Sequence, residues 1–280
     1  MNTEKLDFLT EKAKEIRIST IEMIGNLGVG HIGGALSIVE LLTALYNGIM
    51  DIDPEDPKKA NRDKLVLSKG HAGPALYATL ADRGFFDKSW LSTLNAGGTM
   101  LPSHCDMNRT PGIDMTTGSL GQGLSAAAGL CLSNRMSGID KRVFAVIGDG
   151  ESNEGQIWEA AMAASQFCLD KLTAFTDYNK MQIDGMTADV MDLGDIEGKW
   201  ASFGWDVQRI DGHDIEAIFN TVEKADVETD KPSMIILDTV KGKGCFFAEG
   251  NLSNHNMAFN STQAAEAIAL LRKENKYGNA

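Results

Sequence analysis

The stretch VIGDGESNEG, residues 146–155, places an apolar run directly before a glycine–aspartate–glycine turn, and two glutamates follow within a few positions. The run RVFAVIGD, residues 142–149, has the length and composition of a buried β-strand. A helical stretch follows from about Asn153. The sequence therefore predicts a strand, a tight turn and a helix in succession, with the Asp149 carboxylate held where the strand ends.

The same alternation of strands and helices runs through the chain. Runs of strand length cover residues 65–68, 142–149, 172–178, 205–210 and 233–240. Helical stretches cover the N-terminal segment, 35–50, the segment from Ala72, 120–136, 153–168, 195–203 and 214–227. Mostly apolar strands joined by helices predict an α/β fold with a doubly wound, mainly parallel sheet and helices on both faces. No repeat or linker divides the chain, so we expect residues 1–280 to form a single domain.

Composition and charge argue against several classes of protein. The chain has 26 basic and 39 acidic residues, and its net charge of −13 disfavours nucleic acid and anionic membranes as partners. The longest apolar runs are too short to span a bilayer, and the polar N-terminus is not a secretory signal. The four cysteines are widely separated, which is typical of free thiols. We therefore expect a cytoplasmic protein.

The functional site is expected at the carboxyl edge of the sheet, where ligands of such folds bind. Asp149 closes one strand, and Asn179 follows the next strand 30 residues further on. Carboxylate and amide oxygens, together with a nearby backbone carbonyl, are ligands that suit Mg2+, or Ca2+ or Mn2+ in its place. Gly150 allows a bulky anion to approach the backbone, and the helix that follows directs its N-terminus at that anion. The sequence therefore predicts a metal that holds a diphosphate.

Four loops rich in glycine or histidine can reach the same edge. They are GVGHIGG at 28–34, LSKGHAG at 67–73, MLPSHCD at 100–106 and TTGSLGQG at 116–123. Together with GDGESNEGQIWEA, YNKMQIDG and VKGKG, these motifs resemble those of transketolases, in the same order, from about residue 10 to 260. The joint occurrence is far more specific than GDG alone. The resemblance covers nearly the whole chain and implies thiamine diphosphate as the cofactor.

The resemblance implies a role for each matching position around the cofactor. Asp149 and Asn179 correspond to the magnesium ligands, with the carbonyl of Met181 as a third ligand. Gly150, His71 and His255 would contact the diphosphate. The loop from Gly118 through Ser119 and Leu120 to Gly123 would run along the cofactor, with Leu120 against the thiazolium. Glu154 would belong to a carboxylate network that reaches the cofactor-activating glutamate of the partner.

The same resemblance implies how the reaction proceeds. His31, His71, His104 and His255 would surround the reacting carbons, bind hydroxyl groups and move protons, a task that suits imidazole at neutral pH. The cofactor would store the electrons of the broken carbon–carbon bond while a two-carbon ketol unit passes from a ketose to an aldose.

The length of the chain implies a partner. Transketolases continue into a pyrimidine-binding domain and a third domain, whereas this sequence ends after LLRKENKYGNA. We therefore expect the N-terminal subunit of a split enzyme, inactive alone, whose partner subunit of roughly 300 residues completes an α2β2 heterotetramer.

Several positions close to the motif histidines depart from the family pattern. They are Leu94, Asn95 and Ala96 in place of Phe-Arg-Gln, Ser103 and Cys105 in place of Gly and Pro beside His104, and Asn254 and Asn256 in place of Trp and Gly around His255. The metal and diphosphate motifs are intact. We expect these changes to be grouped around the substrate mouth, which favours an altered sugar specificity. We therefore expect an unusual ketose donor, either a branched sugar phosphate or a sugar that ends in a sulfonate.

Other interpretations remain open at this point. A deoxyxylulose phosphate synthase or the alpha chain of a dehydrogenase would share the metal motif, and a non-catalytic assembly subunit would share the fold. Among individual side chains, we expect Glu151, Lys241 and Lys243 to face solvent. His213 lies outside the motifs and is expected to be structural, and Asp214 is expected to cap a helix.

Overall fold

The structure, a computed structural model, describes residues 1–183 and 185–274. Its centre is a five-stranded sheet in which every neighbouring pair of strands is parallel. The strands are β2 (Lys64–Leu67), β3 (Val143–Gly148), β4 (Leu172–Tyr178), β5 (Asp206–Asp211) and β6 (Ser233–Asp238). They are arranged in the order β2-β3-β4-β6-β5. The predicted parallel α/β sheet is confirmed, because all five predicted strands are present in it.

Ten α-helices lie in the described part of the chain. They are α1 (Thr3–Leu27), α2 (Ile32–Leu36), α3 (Val39–Ala44), α4 (Gly73–Asp82), α5 (Gln122–Met136), α6 (Gly155–Gln166), α7 (Thr187–Val190), α8 (Ile196–Ser202), α9 (Ile215–Val227) and α10 (Ser261–Glu274). None of the helices within residues 1–183 and 185–274 is long and apolar enough to cross a membrane.

The two faces of the sheet bury different sets of side chains. On β3, Phe144 and Val146 point into a core that includes α1, α3, α4 and α9. Val143, Ala145 and Ile147 point into the opposite core, which includes α5, α6 and α8. Because side chains alternate along a strand, a strand buried on both faces is apolar throughout, as the sequence of β3 indicated.

Two predicted helices differ from the observed ones. The stretch 35–50 is not one helix: it is interrupted at Ser37 and Ile38 and finishes in a π-helical turn at Leu45–Ile49. The Ser37 hydroxyl donates to Asp177 Oδ2 at 2.7 Å and also lies 3.2 Å from the Gly34 carbonyl oxygen, so its side chain competes with the helical backbone pattern. The helix predicted from about Asn153 begins at Gly155, after a 3₁₀ turn at Gly150–Asn153.

A second, very short sheet pairs the two ends of the chain. β1 (Val29–Gly30) runs antiparallel to β7 (Met257–Ala258), with Gly30 opposite Met257. Two-residue strands leave no periodic signal, and the sequence did not predict this sheet. Asp184 of the YNKMQIDG motif, and residues 275–280 at the end of the chain, lie outside the described residues.

Candidate active site

A cleft of about 350 Å³ lies at the carboxyl ends of β2, β3 and β4. The predicted site residues that line it are His31, His71, His104, Gly118, Leu120, Asp149, Gly150, Glu154, Asn179, Met181 and His255. Ser119 is the exception: it is exposed and lines a separate surface hollow beside Gly118. The carboxyl edge thus gathers residues that are far apart in sequence, as expected for a parallel sheet.

The Asp149 carboxylate is held by backbone donors where β3 ends. Its Oδ1 accepts from the Gly150 N–H at 2.7 Å, and its Oδ2 accepts from the Lys180 N–H at 2.6 Å. The side chain is nearly fully buried. Burial, followed by the nearby Asp177 carboxylate, raises the pKa of Asp149 to about 6. A buried carboxylate with negative charge beside it is stabilised by a cation.

Asn179 and Met181 lie in the turn that follows β4. Asn179 Nδ2 donates to Asp177 Oδ2 at 2.8 Å, and this contact fixes the orientation of the amide. Asn179 Oδ1 accepts from the Met181 N–H at 3.2 Å. Both residues are buried, and Lys180 between them adopts a left-handed backbone with φ of 66°. Asn179 and Met181 thus line the same cleft as Asp149, and the Lys180 N–H joins their turn to the Asp149 carboxylate.

A buried ion pair that the sequence analysis missed supports this turn. Lys69 follows β2 and forms a salt bridge with Asp177 of β4, and both side chains are almost inaccessible to solvent. Ser37 and Thr239 also donate to the Asp177 carboxylate. Burial opposes ionisation of Asp177, but the Lys69 ammonium and the hydrogen bonds from Thr239 and Ser37 together outweigh burial and hold the pKa of Asp177 below its usual value. An acidic residue within an apolar strand was a signal that this pair existed, because a buried charge requires a partner.

The four motif histidines form one cluster. The ring centroids of His31 lie 5.5 Å from those of His71 and His104 and 5.3 Å from that of His255, while His71 and His255 are 4.9 Å apart. The β1–β7 pairing explains the contact between the first and last of them, because His31 directly follows β1 and His255 lies just before β7. The predicted gathering of the histidines is thus observed, through a sheet that was not predicted.

The electrostatic surroundings keep these imidazoles neutral. Burial is the main cause at each of the four, and it lowers the pKa of His31, His71 and His104. Burial and the Lys241 ammonium lower the pKa of His255 to about 4. A neutral imidazole carries one N–H donor and one acceptor nitrogen, so the cluster can both donate hydrogen bonds to hydroxyl groups and accept protons from them.

Glu151 does not face solvent, and the expectation from sequence was wrong. The 3₁₀ turn at Gly150–Asn153 directs its side chain inward, where it is 3% exposed. One carboxylate oxygen accepts from Ser68 Oγ and from the Gly121 N–H at 2.9 Å, and the other accepts from the Gly148 N–H at 3.0 Å. Glu151 therefore ties three of the motif loops together.

Lys241 is also buried, against expectation. Its side chain lines the cleft at 3% exposure, and Nζ lies 3.4 Å from the Met181 carbonyl oxygen. Burial, with the Lys69 ammonium next in size, lowers the pKa of Lys241 to about 8. Lys243, two residues later, is partly exposed and pairs with Glu249, so the expectation of a solvated charge holds for this residue alone.

His213 is a structural residue, as predicted. Its Nε2 accepts from the Val240 N–H at 2.9 Å, so the ring proton is on Nδ1, which donates to Glu40 Oε2 at 3.0 Å. Asp214 caps α9 by accepting from the Ala217 N–H, which is also as predicted. The four cysteines are free, as expected.

The departures from the family pattern do not all lie at the mouth of the cleft. Asn254 is fully buried and donates to the carbonyls of Lys241, at 3.2 Å, and Ala248, at 2.8 Å. Cys105 is buried in the core. The expectation that the changes are grouped at the substrate mouth was therefore wrong for these two residues.

The residues present fit a diphosphate cofactor with a divalent cation. Within residues 1–183 and 185–274, no group of three or more His, Cys, Asp or Glu side chains could hold a metal by itself. A cation beside Asp149 would therefore take its other ligands from Asn179, a carbonyl, water and the diphosphate. Gln182 Nε2 is buried at the edge of the cleft with no hydrogen-bond partner in the described chain, so a donor is available for a ligand.

Comparison with known proteins agrees with this site. The family described as transketolase, thiamine diphosphate binding domain, matches residues 9–278. A 6-deoxy-6-sulfo-D-fructose transketolase subunit from Clostridium sp. (strain MSTE9) is 57% identical over 98% of this chain and 99% of its own length. An apulose-4-phosphate transketolase subunit from Phocaeicola vulgatus is 40% identical over 96% of this chain and 94% of its own.

Solved structures give the same result. The transketolase of Campylobacter jejuni superimposes with a TM-score of 0.86 at 26% identity, over 98% of this chain and 48% of that one. A Pichia stipitis transketolase mutant in complex with fructose 6-phosphate gives the same TM-score at 27% identity, over 96% of this chain and 45% of that one. The chain thus spans about half the length of these transketolases. It belongs to the transketolase family and corresponds to the N-terminal, thiamine diphosphate-binding subunit of a split transketolase.

Proposed function

We propose that this chain, together with a C-terminal transketolase subunit, transfers a two-carbon ketol unit from 6-deoxy-6-sulfo-D-fructose to an aldose acceptor. The observation that carries the proposal is the full-length similarity to a subunit named for that donor, at 57% identity. The residues beside the histidines favour an unusual donor independently of this relative. The neutral histidine cluster and the buried metal-type ligands supply the groups that such a reaction requires.

The proposal assigns the cofactor to the cleft. Asp149, Asn179 and the Met181 carbonyl would hold Mg2+, or Ca2+ or Mn2+, against the diphosphate. Gly150, His71 and His255 would contact the diphosphate itself, and the loop Gly118–Ser119–Leu120 would run along the cofactor. Thiamine diphosphate, when bound, would supply the carbon nucleophile and the electron sink of ketol transfer.

The roles of the histidines follow from their protonation. We assign to His31, His71, His104 and His255 the binding of ketose hydroxyl groups, because neutral imidazoles side by side can donate and accept at once. A neutral imidazole can also take the proton of the hydroxyl group whose oxygen becomes a carbonyl when the carbon–carbon bond breaks. Glu154, exposed at the rim of the cleft, would meet the carboxylate network of the partner.

The open side of the cleft is where we place the partner. Leu120 and Ile183 line the cleft and are 36% and 65% exposed, so apolar surface faces solvent beside the site. A second subunit of roughly 300 residues would cover it and bring the pyrimidine-binding and C-terminal domains, and an α2β2 assembly would follow from closed symmetry.

Reconstitution tests the proposal. The purified chain is combined with the C-terminal subunit, thiamine diphosphate and Mg2+, and kcat/KM is compared for 6-deoxy-6-sulfo-D-fructose, fructose 6-phosphate and apulose 4-phosphate with one aldose acceptor. We expect turnover only when both subunits are present, with the sulfo-sugar preferred. Asp149→Ala should abolish magnesium-dependent cofactor binding in calorimetry, whereas Asp230→Ala, at an exposed site, should not. Activity of the chain alone, or a preference for fructose 6-phosphate, would refute the proposal.

A further inference from the structure

A small side pocket lies next to the histidine cluster. Its volume is about 120 Å³, several times the roughly 30 Å³ that one water molecule occupies in the liquid. It shares His31 with the main cleft. The other lining residues are Leu27, Val29, Gly30, Pro74, Leu94, Asn95, Ser103 and Asn256.

Three of the residues that line the pocket are direct neighbours, in sequence, of the cluster histidines. Gly30 precedes His31, Ser103 precedes His104, and Asn256 follows His255. The pocket therefore adjoins the histidine cluster, beside the place that we assign to the reacting carbons of the ketose. Three of the positions at which the chain departs from the family pattern, Asn95, Ser103 and Asn256, meet here although they lie in three separate loops.

The lining of the pocket combines apolar and uncharged polar side chains. His31 is the one titratable side chain among the lining residues in the described part of the chain, and burial lowers its pKa. The side chains of Asn95, Ser103 and Asn256 offer amide and hydroxyl donors, and within residues 1–183 and 185–274 none of the three forms a hydrogen bond through its side chain. Asn95 adopts a left-handed backbone, with φ of 56°, which asparagine tolerates better than most residues.

Sugar phosphates and sulfo-sugars differ in the charge of their end group, and such a site can respond to that difference. A phosphate ester carries about −1.5 to −2 charges at pH 7, whereas a sulfonate carries a single charge and three oxygen acceptors. A site with neutral donors and no cation compensates one charge better than two, because an anion that leaves water must regain its stabilisation from the site.

We propose that this pocket is the part of the chain that selects the donor: Asn95, Ser103 and Asn256 bind the sulfonate end of the ketose through neutral hydrogen bonds and disfavour a phosphate. The inference rests on the proposed function and names the specificity-determining residues of that same site.

The test adds a cation to the pocket. In the reconstituted two-subunit enzyme, kcat/KM is measured for 6-deoxy-6-sulfo-D-fructose, for fructose 6-phosphate and for L-erythrulose, a ketose without an anionic end. For Asn256→Lys and Asn95→Arg we expect the preference for the sulfo-sugar over fructose 6-phosphate to fall about tenfold, with L-erythrulose turnover retained. Asn220→Lys, on the exposed side of α9, is the matched control and should leave the preference unchanged.

A second variant covers the case in which the added cations damage the enzyme. Ser103→Ala removes one donor, and we expect it to lower kcat/KM for the sulfo-sugar but not for L-erythrulose. An unchanged preference for the sulfo-sugar in both cationic variants overturns the inference. So does an equal loss of kcat/KM for the sulfo-sugar and for L-erythrulose in Ser103→Ala. If the wild type does not use the sulfo-sugar, the proposed donor fails. The pocket is then tested by the ratio of fructose 6-phosphate to L-erythrulose turnover, which the cationic variants should raise.

Discussion

The Lys241 ammonium lies 3.4 Å from the Met181 carbonyl oxygen, the same oxygen that we assign to the metal. Because Lys241 lines the cleft that we assign to the cofactor, its ammonium would be a donor for the diphosphate. We therefore predict that Lys241→Met weakens binding of thiamine diphosphate with Mg2+ by about tenfold or more, because a charge-assisted contact is lost. Isothermal calorimetry measures the affinity.

The matched control for this prediction is Lys243→Met. It removes the same charge two residues away, where the side chain is partly exposed and pairs with Glu249. Equal affinities in the two variants would show that the buried position of Lys241 has no role in cofactor binding.

The second prediction concerns Asn254, which links the loop of His255 to the loop of Lys241. Replacing Asn254 by Ala leaves the carbonyls of Lys241 and Ala248 without their donor, and we expect the free energy of unfolding to fall by about 1–3 kcal/mol. Denaturant unfolding measures the loss. Ser253→Ala, at an exposed position in the same segment, should cost less, and a larger loss there would contradict the assignment.

The third prediction uses the close approach of Gly33 to Asn254. A Cβ on Gly33 would lie 2.4 Å from Asn254 Oδ1, so Gly33→Ala should strongly destabilise the protein. In the Asn254→Ala background the same change should cost less, because that oxygen is gone while the Asn254 carbonyl remains close. A double-mutant cycle by denaturant unfolding gives the coupling. If the losses of unfolding free energy are additive, the Gly33→Ala methyl group and the Asn254 side chain do not clash.

The fourth prediction concerns Glu151 and its three donors. In Glu151→Gln the amide NH2 group replaces one acceptor oxygen and faces an N–H or O–H donor, so we expect a loss of about 1–3 kcal/mol in unfolding free energy. Glu154→Gln, at the exposed rim, is the control and should change stability little. Equal stability of Glu151→Gln and the wild type would argue against the role of Glu151 in tying the loops.

The fifth prediction is a pH dependence of stability that comes from Glu40. Burial opposes its ionisation, but Arg17 and His213 outweigh burial and lower the pKa of Glu40 from 4.5 to about 2. Because the folded pKa is below the unfolded one, the stabilisation is fully present above about pH 4.5 and is lost as the pH falls toward 2. It amounts to about 3 kcal/mol. Unfolding of wild type and Glu40→Gln between pH 2 and 6 should show a gap that closes toward acid, and a constant gap would contradict it.

The central sheet could be predicted because each strand is recognisable from its own short run of residues. β2, β3, β4 and β6 are short, mostly apolar runs. Asp149 directly follows β3 and Asn179 directly follows β4, so their relative position follows from the parallel pairing of these strands. Glycine-rich loops near strand ends could be found in the same way. Helix boundaries were less certain, because Ser37 interrupts a run that is apolar on either side.

Buried charges could not be predicted from their sequence neighbours alone. Lys69, Lys241 and Glu151 stand in polar, glycine-rich segments that resemble surface loops, and only the folded chain shows that each finds a partner away from water. The side pocket has the same origin: Asn95, Ser103 and Asn256 are ordinary surface residues in sequence and share one wall only in three dimensions.

The pairing of Val29–Gly30 with Met257–Ala258 joins segments that lie far apart in the sequence. The central sheet can assemble from the middle of the chain, but the imidazoles of His31 and His255 remain apart until the two ends of the polypeptide have met. A ribosome-bound nascent chain would therefore hold its metal-type ligands before it has a complete proton-transfer centre. Loss of the chain from residue 255 onward would remove His255 from the cluster together with Phe259 and Ala264 of the core.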